Sequence, residues 1–98
     1  MARDELEAFE WDKSKSERNA ALRGFDFEFG SRVFAGPFVE RQDRRHGYGE
    51  PRFVTTGEVD GIILTVVWTP RARARRIISA WPASRQERRI YREYSEKE

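Results

Sequence analysis

The residues of this 98-residue chain that could do chemistry are mostly arginines. Sixteen Arg stand against three Lys, and eight Arg fall within residues 69–92 beside one acid, Glu87. A guanidinium forks onto phosphate oxygens and stacks on bases, whereas a Lys ammonium is a point charge, so the bias suits contact with RNA. A GC-rich genome would enrich Arg codons everywhere but would not concentrate them in one segment. His46 is the only histidine, and imidazole is the side chain whose ordinary pKa lies nearest neutrality. It sits in the loop His46-Gly47-Tyr48-Gly49-Glu50-Pro51, and loops often carry functional groups. Glu50 can act as a base or orient Arg52. Trp11 and Trp81 can stack on bases, although packing is the better reading for Trp11. Tyr91, on a terminal helix, reads first as core.

Other chemistries are limited by what the chain lacks. There is no cysteine, which removes disulfides, thiolate metal sites and a thiol nucleophile. One histidine and no spaced carboxylate cluster predict no metal and no cofactor. The longest apolar run, Ile62 to Trp68, is seven residues, short of the roughly 20 that a membrane helix needs. The acidic Met1–Glu10 stretch does not read as a signal peptide. A cytoplasmic location without a membrane is therefore expected, with residues 1–98 forming one domain. Net charge is only +2, but it hides a gradient from an acidic start to an arginine-rich second half. Charged residues reach 37%, yet the apolar residues fall in periodic segments separated by turn residues, which argues against disorder.

Those segments place the chemical groups. Phe9-Glu10-Trp11 reads as a short extended piece, and Asp12 caps a polar helix over Lys13–Arg23 that Gly24 ends. Asp26 caps a second helix to about Phe34, with Phe27, Val33 and Phe34 inward, and Pro37 closes it. Strands follow over Phe38–Arg44, Arg52–Thr56, Ile62–Trp68 and Arg75–Ala80, with turns at Gly57–Gly61 and Thr69–Ala74. After Pro82, a helix carries Ala83, Glu87, Ile90, Tyr91 and Tyr94 on one face. The expected class is α+β: two N-terminal helices and a C-terminal helix on one face of a four-stranded antiparallel sheet, leaving the other face open to a ligand.

Several pieces, in order, resemble the BrnT family of type II toxin–antitoxin ribonucleases, which have a RelE-like fold. They are Phe9-Glu10-Trp11-Asp12 with Lys15 and Asn19; Gly24 with Asp26-Phe27 and Val33-Phe34; His46, Gly49-Glu50, Arg52 and Gly57; and Val66-Val67, Thr69 and Arg71. Arg76-Ile77-Ile78-Ser79-Ala80 is the most specific match, and Ala83, Glu87-Arg88-Arg89 and Tyr91 close the series. The family usually ends its first helix in Lys-His-Gly, where this chain has Leu22-Arg23-Gly24, and it usually has Arg where Trp81 stands.

The resemblance implies a metal-independent endoribonuclease that inhibits translation. Such an enzyme needs a base for the ribose 2′-OH, cations for the phosphate and an acid for the leaving 5′-oxygen. Arg76 and Arg71 are expected on the phosphate, His46 and Glu50 in proton transfer, and Arg52, Arg75, Arg88 and Trp81 along the RNA. The implied partners are an RNA substrate and a ribbon-helix-helix antitoxin, with toxin pairing in the complex. The alternative is a non-catalytic RNA-binding or regulatory module of the same fold.

Overall fold

The computed structural model describes residues 6, 8–44, 47 and 49–97. Strand β1 (Ala8–Trp11) leads into helix α1 (Lys13–Arg23) and short helix α2 (Phe27–Ser31), which continues as a 3-10 turn over Arg32–Ala35. Strands β2 (Phe38–Asp43), β3 (Arg52–Val59), β4 (Ile62–Arg71) and β5 (Ala74–Pro82) follow, then helix α3 (Arg85–Glu96).

The helix starts are set by short-range hydrogen bonds. The Asp12 carboxylate accepts from the Lys15 N–H at 3.0 Å, and that of Asp26 from the Phe29 N–H at 2.9 Å. Ser84 and Glu87 form a reciprocal capping box on α3, which satisfies two otherwise orphaned donors. Gly24 ends α1 with φ 88°, a left-handed conformation that glycine adopts at little cost. Helix α1 has no apolar stripe. Its buried residue is Ser16, whose Oγ accepts from the Phe27 N–H at 2.9 Å, while the Asn19 amide donates to the Phe25 carbonyl at 2.9 Å. Polar ties to the α1–α2 connection thus hold this helix in place.

The sheet has five strands in the order β1-β5-β4-β3-β2. From β2 to β5 it is the expected antiparallel meander, but β1 pairs in parallel with β5, Trp11 lying opposite Ile77. The expectation of four antiparallel strands is corrected accordingly. Phe9 and Trp11 pack against the core from alternate positions of β1, so the short extended piece completes the sheet edge. Turns are tighter than expected. Asp60-Gly61 (φ 51° and 81°) joins β3 to β4, and Ala72, with φ 51°, lies between β4 and β5. Gly57, expected in a turn, lies inside β3. A Cβ there would stand 3.1 Å from the Val33 Cβ and 3.3 Å from two backbone oxygens, so glycine lets the 3-10 turn approach the strand.

The helices divide between the two faces of the sheet, which corrects their expected placement on one face. Phe27 and Val33 pack with Val59, Leu64, Val66, Ile77 and Ala80 on the first face. Fully buried Trp68 joins Phe53, Leu6 and Phe34 in an adjoining cluster. Residues of opposite parity in β3, Val54 and Thr56, point to the second face, where they line a pocket with Val39, Ile90 and Glu87. Helix α3 therefore lies across β2 and β3 on that face. The chain is turned there after β5, where the Ala83 N–H donates to the Ile63 carbonyl at 3.0 Å. Tyr91 is buried beneath α3, and burial together with the nearby Glu58 charge pushes its phenol above the ordinary value. Ile90 and Tyr94, expected to share that inward face, remain substantially exposed.

Arg75 belongs to the core, not to an RNA surface. It is only 6% exposed, its guanidinium lies 4.2 Å from the Phe34 ring centre and 4.9 Å from that of Trp68, and it donates to the Leu6 carbonyl. Strand alternation sends it to the first face and its neighbour Arg76 to the second.

Two stability measurements test this packing. Gly57→Ala should cost about 1–3 kcal/mol in urea unfolding by overpacking. Gly36→Ala, where a Cβ meets nothing within 4 Å, should stay within about 0.5 kcal/mol of wild type; equal effects would contradict the close approach at Gly57. Arg75→Ala should cost about 3 kcal/mol, from a desolvated cation–π contact and a charged hydrogen bond. A neutral effect would return Arg75 to the surface.

Candidate functional site

The second face of the sheet gathers most of the arginines expected to act together. Along β5, Arg76 pairs with Thr69 of β4 on one side and with Glu10 of β1 on the other. Along β3, Arg52 pairs with Asp43 of β2. Because Phe53 is opposite Trp68, the antiparallel register sets Arg52 beside Thr69. One line of side chains thus crosses the face: Asp43, Arg52, Thr69, Arg76 and Glu10. Arg71 stands two residues farther along β4. Neighbouring strands are about 4.8 Å apart, so Arg52 and Arg76 emerge roughly 10 Å from each other across β4.

Two glutamates organise these cations. Glu50 reaches Arg71 Nη2 at 3.3 Å and Arg52 Nε at 3.9 Å, one carboxylate oxygen to each. Glu10 reaches Arg76 Nη1 at 3.4 Å. The segment before β3 is held down by buried Thr69, whose hydroxyl donates to the Pro51 carbonyl at 2.6 Å, and this fixes the residue next to Glu50. Arg71 is half exposed, and Arg76 is 31% exposed. Ion pairs so open to water contribute about 0–1 kcal/mol. They orient the guanidiniums yet leave them free to exchange a carboxylate for another anion. The cluster can therefore grip a phosphate.

The remaining expected residues are elsewhere. Trp81 is on the same face of β5, opposite Thr65, five residues beyond Arg76. Its indole N–H donates to Glu87 at 3.1 Å, which ties it to the start of α3. Arg88 is exposed on α3. Arg75 is buried on the first face, as described. His46 lies outside the described residues; Arg44, Gly47 and Gly49, near it in the chain, line a hollow with Asp43, Glu50 and Pro51. The sequence reading overlooked Glu10 and Thr69 as parts of the site. An acid two residues before a helix cap and a threonine at a strand end carry no chemical signature until the register pairs both with Arg76. Among the described residues, no three of His, Cys, Asp and Glu are grouped to hold a metal ion, and no helix is long and apolar enough to cross a membrane.

Comparison with curated proteins gives no match. The family model for BrnT, the ribonuclease toxin of type II toxin–antitoxin systems, matches residues 11–87. That span begins at the end of β1, takes in the rest of the sheet with Glu50, Arg52, Arg71 and Arg76, and ends in the first turn of α3. The chain belongs to the BrnT family of ribonuclease toxins.

Proposed function

We propose that this toxin cleaves RNA on the arginine face of its sheet, without a metal, and thereby inhibits translation. The observation that carries the reading is Glu50 held between Arg71 and Arg52, on the same face as Arg76. A scissile phosphate entering that face takes up Arg76 and Arg71, whose positive charge stabilises the pentacoordinate transition state. The ribose 2′-oxygen attacks phosphorus as a base removes its proton. The bond to the 5′-oxygen breaks, and an acid protonates that oxygen. Glu50 and His46 are our candidates for these two proton transfers. Arg52 and Arg88 extend the cationic surface along the RNA, and Trp81 offers its ring to a base.

Membership of a type II system implies an antitoxin and an RNA target. We take the antitoxin to be a ribbon-helix-helix protein and the toxin to pair within the complex. The whole chain would then act in the cytoplasm as one RelE-like domain. A non-catalytic RNA-binding role is the second reading. It is favoured by Trp81, which stands where the family usually has an arginine and is tied to Glu87.

Arg76→Ala should lower RNA cleavage by about 10²–10³, the usual worth of one donor to a developing charge, and should relieve growth arrest with the fold intact by circular dichroism. Full arrest by a folded Arg76→Ala protein would remove Arg76 from the reaction. The proton carriers separate by pH. With His46 as base, cleavage rises through roughly pH 6–7, because only neutral imidazole accepts a proton, and His46→Gln costs about 10²–10⁴. If His46 is the acid, activity falls over the same window. With Glu50 as the base and no role for His46, His46→Gln cleaves at the wild-type rate and Glu50→Gln carries the loss.

A further inference from the structure

We infer that the groove between α1 and β5 is a second phosphate-binding subsite, which takes the RNA strand leaving Arg76. This rests on the ribonuclease reading above.

The groove follows from the short pairing of β1. That strand accompanies β5 only as far as Ile77. The chain then passes through Asp12 into α1, which stands beside the rest of β5. Lys15, Arg18 and Asn19 face the groove at i, i+3 and i+4 spacing, and Leu22, Arg23, Ile78, Ser79 and an edge of the core residue Phe27 complete a cleft of about 250 Å³. Ser79 pairs with Val67 and Arg76 with Thr69, on the same face of the sheet. One wall of the groove thus lies three residues along β5 from Arg76, and a strand crossing the Arg76 face can run on into it.

The charge there is not balanced locally. Arg32, Arg52, Arg71 and Arg76 each have a carboxylate partner. Arg18 and Arg23 have none among the described residues, and no acid lines the groove. Lys15 lies near the capping Asp12 and, among the described residues, forms no ion pair. The helix dipole accounts for a cation at Arg23, in the last turn of α1, but not for Arg18 or Lys15. Packing does not account for them either, since α1 is held by Ser16 and Asn19. From Lys15 to Arg23 the helix rises about 12 Å, so the cations form a track and not a single point. Leu22, 74% exposed at the same cleft, adds an apolar surface for a base or ribose. Continuity with Arg76 selects an RNA backbone over an acidic protein segment.

The test is fluorescence anisotropy with single-stranded RNA carrying 2′-O-methyl riboses, which cannot be cleaved by attack of the 2′-oxygen. Wild type and an Arg18→Gln/Arg23→Gln double variant are titrated over a range of salt with a twelve-nucleotide strand and with a trinucleotide. Glutamine keeps helix propensity at both exposed positions, and circular dichroism verifies the fold. For the longer strand, the slope of log affinity against log salt should be shallower by about 1.4 in the variant, roughly 0.7 for each phosphate that is no longer neutralised. The trinucleotide should bind both proteins alike. An unchanged slope with the longer strand overturns the subsite, and so does an equal weakening with the trinucleotide. A variant that keeps its RNA slope but no longer binds its antitoxin marks the groove as a protein-binding surface and likewise overturns it. If wild type binds neither strand, the RNA reading itself fails and the subsite with it.

Discussion

The parallel pairing of β1 with β5 is the constraint on which the rest of the architecture depends. Four residues of β1 cover the first half of β5, so Phe9 and Trp11 reach the core while Glu10 meets Arg76 on the opposite face. Where the pairing stops, the chain turns into α1, and the second half of β5 is bordered by a cationic helix in place of a strand. The carboxylate that orients Arg76 and the groove beside it both follow from where β1 ends.

The chemistry of the face rests on a balance between arginine and glutamate. Unpaired, three arginines in this space would repel one another and adopt many rotamers. With Glu10 and Glu50 among them they are held loosely, at 3.3–3.9 Å and at the water boundary. Such pairs add little to stability, and a phosphate can displace them. Arg75 shows the opposite treatment of the same side chain. Buried against Phe34 and Trp68, it serves the fold. Two adjacent arginines in one strand thus have opposite surroundings, set by which face each one meets.

Much of the local structure is legible in the sequence because its causes are local. Asp12, Asp26 and Gly24 mark helix ends by their own hydrogen bonds and dihedrals, and Asp60-Gly61 marks a hairpin through its positive φ values. The family resemblance likewise includes Glu50, Arg71 and Arg76, and the fold pairs the first two and sets both arginines on one face. What cannot be read depends on long-range register. Nothing near Phe9 announces a partner about 66 residues away, and although a turn is expected over Thr69–Ala74, nothing marks Ala72 as its left-handed residue, with φ 51°. Gly57 reads as a turn because glycine usually signals one; here it makes room for Val33. Strand alternation puts Arg75 and Arg76 on opposite faces, but which of the two meets the core depends on where β1 and the first helices pack, and the register shift at Val67/Trp68 is announced by no pattern of residue types. The placement of α3 on the second face is hidden for a similar reason, since an amphipathic helix does not say which apolar surface it will meet.

The long span between β1 and β5 also sets an order of assembly. The hairpins β3–β4 and β4–β5 close over two-residue turns, so their loop entropy is small and their contacts are local. Glu10 meets Arg76 only after a loop of some 66 residues has closed. During synthesis β1 is made first but finds no partner until Ala74–Ile77 have followed it into solution. The pair that orients Arg76 therefore closes the longest loop in the sheet, and a chain that stops short of Ala74 does not yet carry the finished arginine face.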